Sequence, residues 1–231
     1  MHSMSLDYVY VAMYAAQVFV CAVGFIGFTK YKQFILPFKF LEWYIISSIM
    51  IDCVQDIMIF KKVHTYGVST CFSVVELLLF SGIFYLWRTS KRNGLLIWAG
   101  FAVYLLFWII GKFTFEPITG WDNYSEPISQ LMQIGFGGWM LLKISKETNI
   151  VLKEDIRFWV LSGIVLYAVA TFFFFGFFTP MLMSNRKLLR AIWPLNDVFI
   201  VMQYIFFLRA FLCSSASAVM MSQSQAISKE K

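Results

Sequence analysis

The stretch Leu95–Gly111 reads LLIWAGFAVYLLFWIIG and contains no charged residue. Its apolar residues are continuous rather than alternating with polar ones, so the stretch lacks the pattern of a transmembrane β-strand. Within a bilayer a crossing segment must satisfy its own backbone hydrogen bonds, which an α-helix does. At about 1.5 Å per residue, a helix of this length approaches the roughly 30 Å thickness of the hydrocarbon core. We therefore predict a transmembrane helix here.

Six further apolar stretches of similar length predict an all-α, polytopic bundle of seven transmembrane helices. In addition to Leu95–Gly111, the predicted spans are Tyr8–Thr29, Phe40–Phe60, Val68–Trp87, Ile128–Ile144, Phe158–Thr179 and Ala191–Cys213. They occupy most of residues 1–213, which we predict to be a single transmembrane domain. Residues 214–231 are polar, and we predict that they form a short cytoplasmic tail.

The composition and charge of the chain agree with a membrane protein. Of its 231 residues, 60% are hydrophobic and only 14% are charged, whereas charged residues make up about a quarter of a soluble domain. The lipid bilayer is therefore the principal partner. The formal charge of +6 comes from small basic groups between the spans, so we expect no nucleic-acid partner.

The distribution of Lys and Arg predicts the orientation. If the N-terminus is outside, 13 of the 19 Lys and Arg residues lie on the inner side and 6 on the outer side. Cytoplasmic loops carry an excess of these residues. We therefore predict an external N-terminus and a cytoplasmic C-terminus.

Polar side chains inside the predicted spans are the candidate functional residues. An ionisable side chain at membrane depth costs about 2.5 to 3.5 kcal/mol on insertion scales, so each one suggests a role. We predict that they line one outward-facing acidic cavity that binds a ligand or protons. The candidates are Asp52, Gln55, Asp56, Glu76, Asn196, Asp197 and Tyr204.

Structural explanations for these residues remain open. Asn196 or Asp197 could cap a seventh helix that starts after Pro194. Asp56 could extend outward towards Lys61 and Lys62. The other carboxyl groups could form hydrogen bonds between helices.

The sequence offers little for metal, cofactor or catalytic chemistry. The two histidines lie outside the spans, at His2 and His64, so we expect no metal or haem site. Val201 stands one turn after Asp197, where a retinal protein would need a lysine, so we expect no cofactor. No nucleophile–base arrangement is visible, and we expect no catalytic residues and no enzyme activity.

Three segments carry a resemblance to a known group. Ser73–Phe80 (SVVELLLF) followed by a Trp and a basic connector, Phe107–Ile110 (FWII), and Asp155–Trp159 (DIRFW) resemble elements of uncharacterised bacterial multi-pass membrane proteins of about this size. That group is similar in architecture to the membrane sensor portions of signalling proteins. The resemblance implies a sensory or accessory signalling protein in the plasma membrane, the bacterial inner membrane, with Glu76 as its main candidate residue. Its output would need a membrane or cytoplasmic signalling partner.

Two alternatives remain open. The same carboxyl groups could serve a small proton- or cation-coupled transporter. The equal spacing from Glu76 to Arg88 and from Asp197 to Arg209 hints at the three-helix repeats of some transporters. A structural or assembly protein, in which the carboxyl groups only hold helices together, is the second alternative.

Overall fold

The computed structural model describes residues 4–88, 90–118, 124–147, 151–178 and 194–213. These residues form helices and their connections, without a β-strand in any of the five described ranges. The predicted all-α class is therefore confirmed. The tail 214–231, residues 191–193 of the last predicted span and residue 179 at the end of the sixth lie outside the described ranges.

Each predicted span overlaps a helix in the structure. A short 3-10 turn, Tyr31–Gln33, follows α1, and a π-helical turn, Phe174–Phe178, follows α6. The described ranges contain seven α-helices: α1 Met4–Lys30, α2 Leu36–Phe60, α3 Tyr66–Leu86, α4 Lys91–Thr114, α5 Ser125–Ile144, α6 Ile156–Phe173 and α7 Pro194–Cys213.

Local sequence explains several helix starts. Pro37 lies in the first turn of α2, where its fixed backbone angle is favourable and its missing N–H is not needed. The side chain of Ser90 accepts a hydrogen bond from the backbone N–H of Asn93 at the start of α4. Asp155 does the same for Arg157 at the start of α6. These caps satisfy backbone donors that the first turn leaves free.

Six of the helices are long and apolar enough to cross a membrane, and α5 is the exception. Helix α5 has 20 residues, so its length of about 30 Å is sufficient. Its apolar character is lower because it carries several polar side chains, and these are buried against the protein. They are Ser125, Ser129, Gln130 and Gln133.

Helix α3 lies at the centre of the bundle and contacts α2, α4 and α5, while α5 also packs along α6. Helix α7 fits closely against α6, since a Cβ atom added at Gly163 would lie 3.2 Å from the backbone oxygen of Gln203. On its other side α7 meets α2, where the Phe38 and Phe211 rings are 5.8 Å apart. The core is rich in aromatic side chains.

The two ends of the bundle differ in charge. At one end, which we call the acidic end, α2 and α6 finish and α3 and α5 begin; Gly67 of α3 lies beside Ile118, and Gly176 lies beside Pro127. The other end, which we call the basic end, carries most of the described Lys and Arg residues. These are Lys30, Lys32, Lys39, Arg88, Lys91, Arg92, Lys143, Lys146, Lys153, Arg157 and Arg209.

A buried ion pair supports the turn between α4 and α5 at the acidic end. Lys112 Nζ lies 3.0 Å from Glu116 Oε2, and the two side chains are only 1% and 2% exposed. The Glu116 carboxylate also accepts hydrogen bonds from the backbone N–H of Tyr124 at 2.7 Å and from the N–H and hydroxyl group of Ser125. This carboxylate therefore fixes where α5 starts.

Glu116 should make the stability of the folded protein depend on pH in the acid range. Burial raises the pKa of Glu116, but the hydrogen bonds from Ser125, Tyr124 and Lys112 and the charge of Lys112 outweigh it, so the pKa lies below its ordinary 4.5. Because the folded state binds the proton less readily than the unfolded state, this contribution is complete above pH 4.5 and is lost as the pH falls through the folded-state pKa. We expect the melting temperature of the wild type to fall over this acid range more than that of Glu116→Gln. Equal pH profiles for the two proteins would contradict this role.

Two glycines of the bundle should differ in how they tolerate replacement by alanine. A Cβ atom added at Gly27 would overlap the Glu42 carboxyl group and lie 3.0 Å from the Phe211 ring, whereas one added at Gly138 would meet nothing within 4 Å. We expect Gly27→Ala to cost about 1 to 3 kcal/mol through overpacking. Gly138→Ala should be neutral or stabilising by up to about 1 kcal/mol, because alanine favours helices. Thermal melting of the two variants checks the order, and equal stabilities would refute it.

Candidate functional site

A polar cavity of about 480 Å³ opens among the helices towards the acidic end. Its wall is built from side chains of α1, α2, α3, α5, α6 and α7 and from Phe175 of the π-helical turn. The volume falls within the roughly 300 to 1,000 Å³ of typical small-molecule sites. Convergence of so many helices on one space makes this cavity the candidate functional site.

All seven residues singled out from the sequence line this cavity. The structure thus brings together side chains from α2, α3 and α7 that are far apart in the chain. Their roles in binding a ligand or protons stay a prediction. The seven are Asp52, Gln55, Asp56, Glu76, Asn196, Asp197 and Tyr204.

Helix α2 contributes a polar stripe to the wall. Asp52 and Asp56 are one helical turn apart, so both can face the same side. Gln17 of α1 donates a hydrogen bond to Asp56 Oδ2 at 3.4 Å. In the described chain no ion pair joins Asp56 to Lys61 or Lys62, and the alternative that Asp56 extends outward towards these lysines stays a prediction.

Glu76 lies at the deep end of the cavity. Its side chain is 3% exposed. The Gln133 side chain of α5 faces the Glu76 carboxyl group, yet neither Glu76 Oε1 nor the Gln133 amide atoms have a hydrogen-bond partner within the described chain. Since a buried polar atom normally has a partner, Glu76 has capacity left for a further donor.

Helix α7 contributes Asn196 and Asp197 to the wall. Both residues are already within the helix, so the alternative that one of them caps it is wrong. Asp197 is 9% exposed, and its Oδ2 atom has no hydrogen-bond partner in the described ranges. Deeper on the same helix, Gln203 accepts a hydrogen bond from the Tyr44 hydroxyl group at 3.5 Å.

Two buried or cavity-facing carboxyl groups escaped the sequence analysis. Glu126 lines the cavity and accepts a hydrogen bond from Gln130 at 2.6 Å; the predicted fifth span began two residues later and left it in a loop. Glu126 stands four and seven residues before Gln130 and Gln133, which is the spacing of one helix face. This pattern could have identified Glu126 in the sequence. Glu42 is fully buried on α2 away from the cavity, and neither of its oxygens has a partner among the described residues.

Aromatic rings complete the wall of the cavity. Tyr44 and Tyr204 are nearly parallel, with centroids 6.5 Å apart, and the Tyr44 and Phe72 rings are 6.1 Å apart. Tyr66 and Tyr167 also line the space. Aromatic faces attract cations through the negative charge of their π-systems.

The charge of the wall is one-sided. Asp52, Asp56, Glu76, Glu126 and Asp197 line the cavity, and the described lining residues include no Lys, Arg or His. The carboxyl groups are spread over several helices. Within the described ranges, no three His, Cys, Asp or Glu residues are close enough together to hold a metal ion.

The geometry of the cavity is the basis on which a function can be assigned. A fold shared with other proteins would in any case not fix the activity, since function depends on the particular site. Comparisons of this chain with protein-family models, with curated proteins and with solved structures find no match.

Proposed function

We propose that this protein binds a small organic cation in the acidic cavity and acts as a sensory or accessory signalling protein of the bacterial plasma membrane. In this proposal all seven helices cross the bilayer and the acidic end faces outward. Ligand binding then changes the packing of the helices, and a membrane or cytoplasmic partner protein receives the change.

The observation that carries the proposal is that Asp52, Asp56, Glu76 and Asp197 share one wall, with no basic side chain among the described lining residues. Buried charges are normally paired or bound to metals. A cationic ligand would supply the missing charge. The rings of Tyr44 and Tyr204 favour an alkylammonium ion over a neutral ligand.

Two features support the membrane arrangement. The basic end carries most of the described Lys and Arg residues, as expected of a cytoplasmic face. Helix α5 has the length to cross the bilayer, and its buried polar face would be shielded from lipid by α3 and α6. Polar residues in such helices face the interior of the bundle.

The deep end of the cavity favours a sensor over a channel. Below Glu76 and Tyr204, towards the basic end, lies an aromatic layer whose five side chains are at most 1% exposed. Such a layer would close the path to the opposite side. Its members are Phe38, Phe80, Phe84, Phe207 and Phe211.

One observation favours a small proton- or cation-coupled transporter as the second candidate. Glu42 lies at the depth of the aromatic layer, fully buried, with both carboxyl oxygens lacking a partner in the described chain. A carboxyl group there could accept a proton on the way through the protein. Amine uptake into proteoliposomes would identify a transporter, whereas saturable binding without uptake would support the sensor.

Thermal melting of the detergent-purified protein tests the binding proposal. We expect alkylammonium ions to raise the melting temperature, because a ligand at about 100 times its Kd stabilises the folded state by about 2.7 kcal/mol. Alcohols and carboxylates of the same length should have no effect. Glu154→Gln, which removes an exposed carboxyl group outside the cavity, should keep the response. The same shift with amines and alcohols would contradict the proposal.

A further inference from the structure

The basic end carries a shallow notch among α3, α4, α5 and α6, and we propose that it binds the headgroup of an anionic phospholipid. The notch shares no lining residue with the acidic cavity. This inference uses the proposed placement of the basic end at the cytoplasmic surface, but it does not depend on the proposed binding of an organic cation. The basic residues that line the notch are Arg88, Lys143 and Arg157.

Three segments that are distant in the chain bring these cations together. Arg88 follows the end of α3, Lys143 lies in the last turn of α5, and Arg157 lies in the first turn of α6. Basic residues that only set the orientation of a membrane protein act by their number on each side, so they need no common location. Basic pockets between helices at the cytoplasmic surface bind anionic lipid headgroups, and convergence on one notch is the arrangement that such binding requires.

The positive charge offered to a ligand comes mainly from Arg88 and Lys143. Arg157 is compensated by Glu147 at 2.8 Å and by Asp155 at 2.7 Å, and it thereby ties the end of α5 to the start of α6. Arg88 forms no ion pair with a carboxylate in the described ranges. The notch therefore keeps a positive charge although Glu147 is part of its wall.

Both cations are held against aromatic rings. The guanidinium carbon of Arg88 lies 3.7 Å from the centroid of the Tyr85 ring, and Arg88 Nη1 donates a hydrogen bond to the Tyr85 carbonyl oxygen at 2.7 Å. Lys143 Nζ lies 4.1 Å from the centroid of the Trp139 ring. A guanidinium group fixed in this way can donate from its other N–H groups to phosphate oxygens. Side chains that are already held lose less conformational entropy when a ligand binds.

The shape of the notch favours a lipid over a soluble phosphate compound. Its interior is only about 20 Å³, whereas typical small-molecule sites enclose about 300 to 1,000 Å³. A headgroup would therefore lie over the mouth of the notch, and the acyl chains would keep it there. Leu96 is exposed one turn deeper than the notch residue Asn93, and Leu142 is exposed beside Lys143 on α5. Apolar surface for acyl chains thus adjoins the notch.

Native mass spectrometry of the detergent-purified protein with phosphatidylglycerol and phosphatidylcholine tests this inference. We expect the wild type to bind phosphatidylglycerol about tenfold to thirtyfold more tightly, because each basic residue near an anionic lipid strengthens binding about fivefold. The pair Arg88→Gln and Lys143→Gln should reduce this preference to less than about threefold. Lys143→Gln alone, which leaves the contacts of Arg88 with Tyr85 in place, should reduce it by about fivefold.

The matched control is the pair Lys146→Gln and Lys153→Gln, which removes the same charge from exposed positions at the basic end outside the notch. This pair should keep the preference in 0.15 M salt, where exposed charges more than about 8 Å apart are largely screened. An equal loss in both pairs would overturn the site, because general surface charge would then explain the binding. Equal affinities of the wild type for the two lipids, or displacement of phosphatidylglycerol by millimolar glycerol phosphate, would also contradict a lipid site. Thermal melting with alkylammonium ions reports separately on the cation proposal.

Discussion

The paired substitution Asp52→Asn and Glu76→Gln is expected to abolish amine binding and to raise the melting temperature of the ligand-free protein. Each charged hydrogen bond to a ligand contributes about 1.5 to 3 kcal/mol, so losing two should weaken binding by roughly a hundredfold or more. The amide side chains have nearly the same shape as the carboxyl groups, so the cavity keeps its size.

The change in ligand-free stability follows from the placement of these residues. Asp52 and Glu76 lie in a wall that also holds Asp56, Glu126 and Asp197, and like charges in a poorly solvated space repel one another. Binding sites commonly hold groups that are unfavourable for folding, and replacing them stabilises proteins by about 0.5 to 2 kcal/mol. We therefore expect a higher melting temperature, measured without amine.

The same experiment distinguishes the binding proposal from a purely structural protein. If the carboxyl groups served only to hold helices together, the paired variant would melt at a lower temperature. Glu154→Gln serves as the control, because it removes a carboxyl group that is exposed and outside the cavity. A lower melting temperature together with unchanged amine binding would contradict the proposed role of Asp52 and Glu76.

Lys112→Met is expected to produce the largest loss of stability. It leaves the Glu116 carboxylate buried without its countercharge, and breaking a buried ion pair in this way costs about 3 to 5 kcal/mol. The first turn of α5 should loosen as well, since Glu116 holds the backbone N–H groups of Tyr124 and Ser125. Chemical or thermal denaturation of the purified protein measures the effect.

The matched control for Lys112→Met is Lys146→Met. Lys146 is exposed beyond the end of α5, and an exposed charge contributes at most about 1 kcal/mol. We expect this variant to melt close to the wild type. If the two lysine variants were equally stable, the buried pair would not support the turn as described.

Apolar continuity was sufficient to predict most of the fold. Runs such as Leu95–Gly111 identify helices because a bilayer permits few other structures, and α4 extends a few residues beyond this run at each end. Apolar character marked α5 less clearly, since Gln130 and Gln133 face other helices. That burial depends on tertiary packing, which a single sequence does not specify. The seven-span arrangement accordingly stays part of the proposal.

The candidate site was predictable to the extent that it depends on charge inside apolar segments. Asp52, Glu76 and Asp197 are conspicuous because ionisable residues are rare at membrane depth, and all three line the cavity. Tyr44 resembled an ordinary core residue in the sequence. Glu126 lies at a helix end, where a carboxyl group is unremarkable. Only the packing of α5 and α7 against α2 and α3 brings these residues together.

The buried ion pair shows a related difficulty. Lys112 and Glu116 have the spacing of a helical pair, but Glu116 lies beyond the last residue of α4. The sequence alone places both residues near an outer loop, where solvent would screen them. Their burial follows from the way the turn folds back on the start of α5.

Thiol labelling at Ser69 tests most directly whether the cavity attracts cations from outside. Ser69 lines the cavity, whereas Val63 is exposed at the same end and does not line it. Each would be changed to cysteine in a protein whose four native cysteines are replaced by serine. The two proteins would be labelled in intact cells with membrane-impermeant cationic and anionic methanethiosulfonate reagents. We predict that the ratio of the cationic to the anionic labelling rate is about tenfold or more higher at Ser69→Cys than at Val63→Cys, because an acidic cleft concentrates cations. We also predict that an alkylammonium ion slows labelling at Ser69→Cys alone. The same reagent preference at both positions, with no effect of the amine, would contradict a cation-binding cavity.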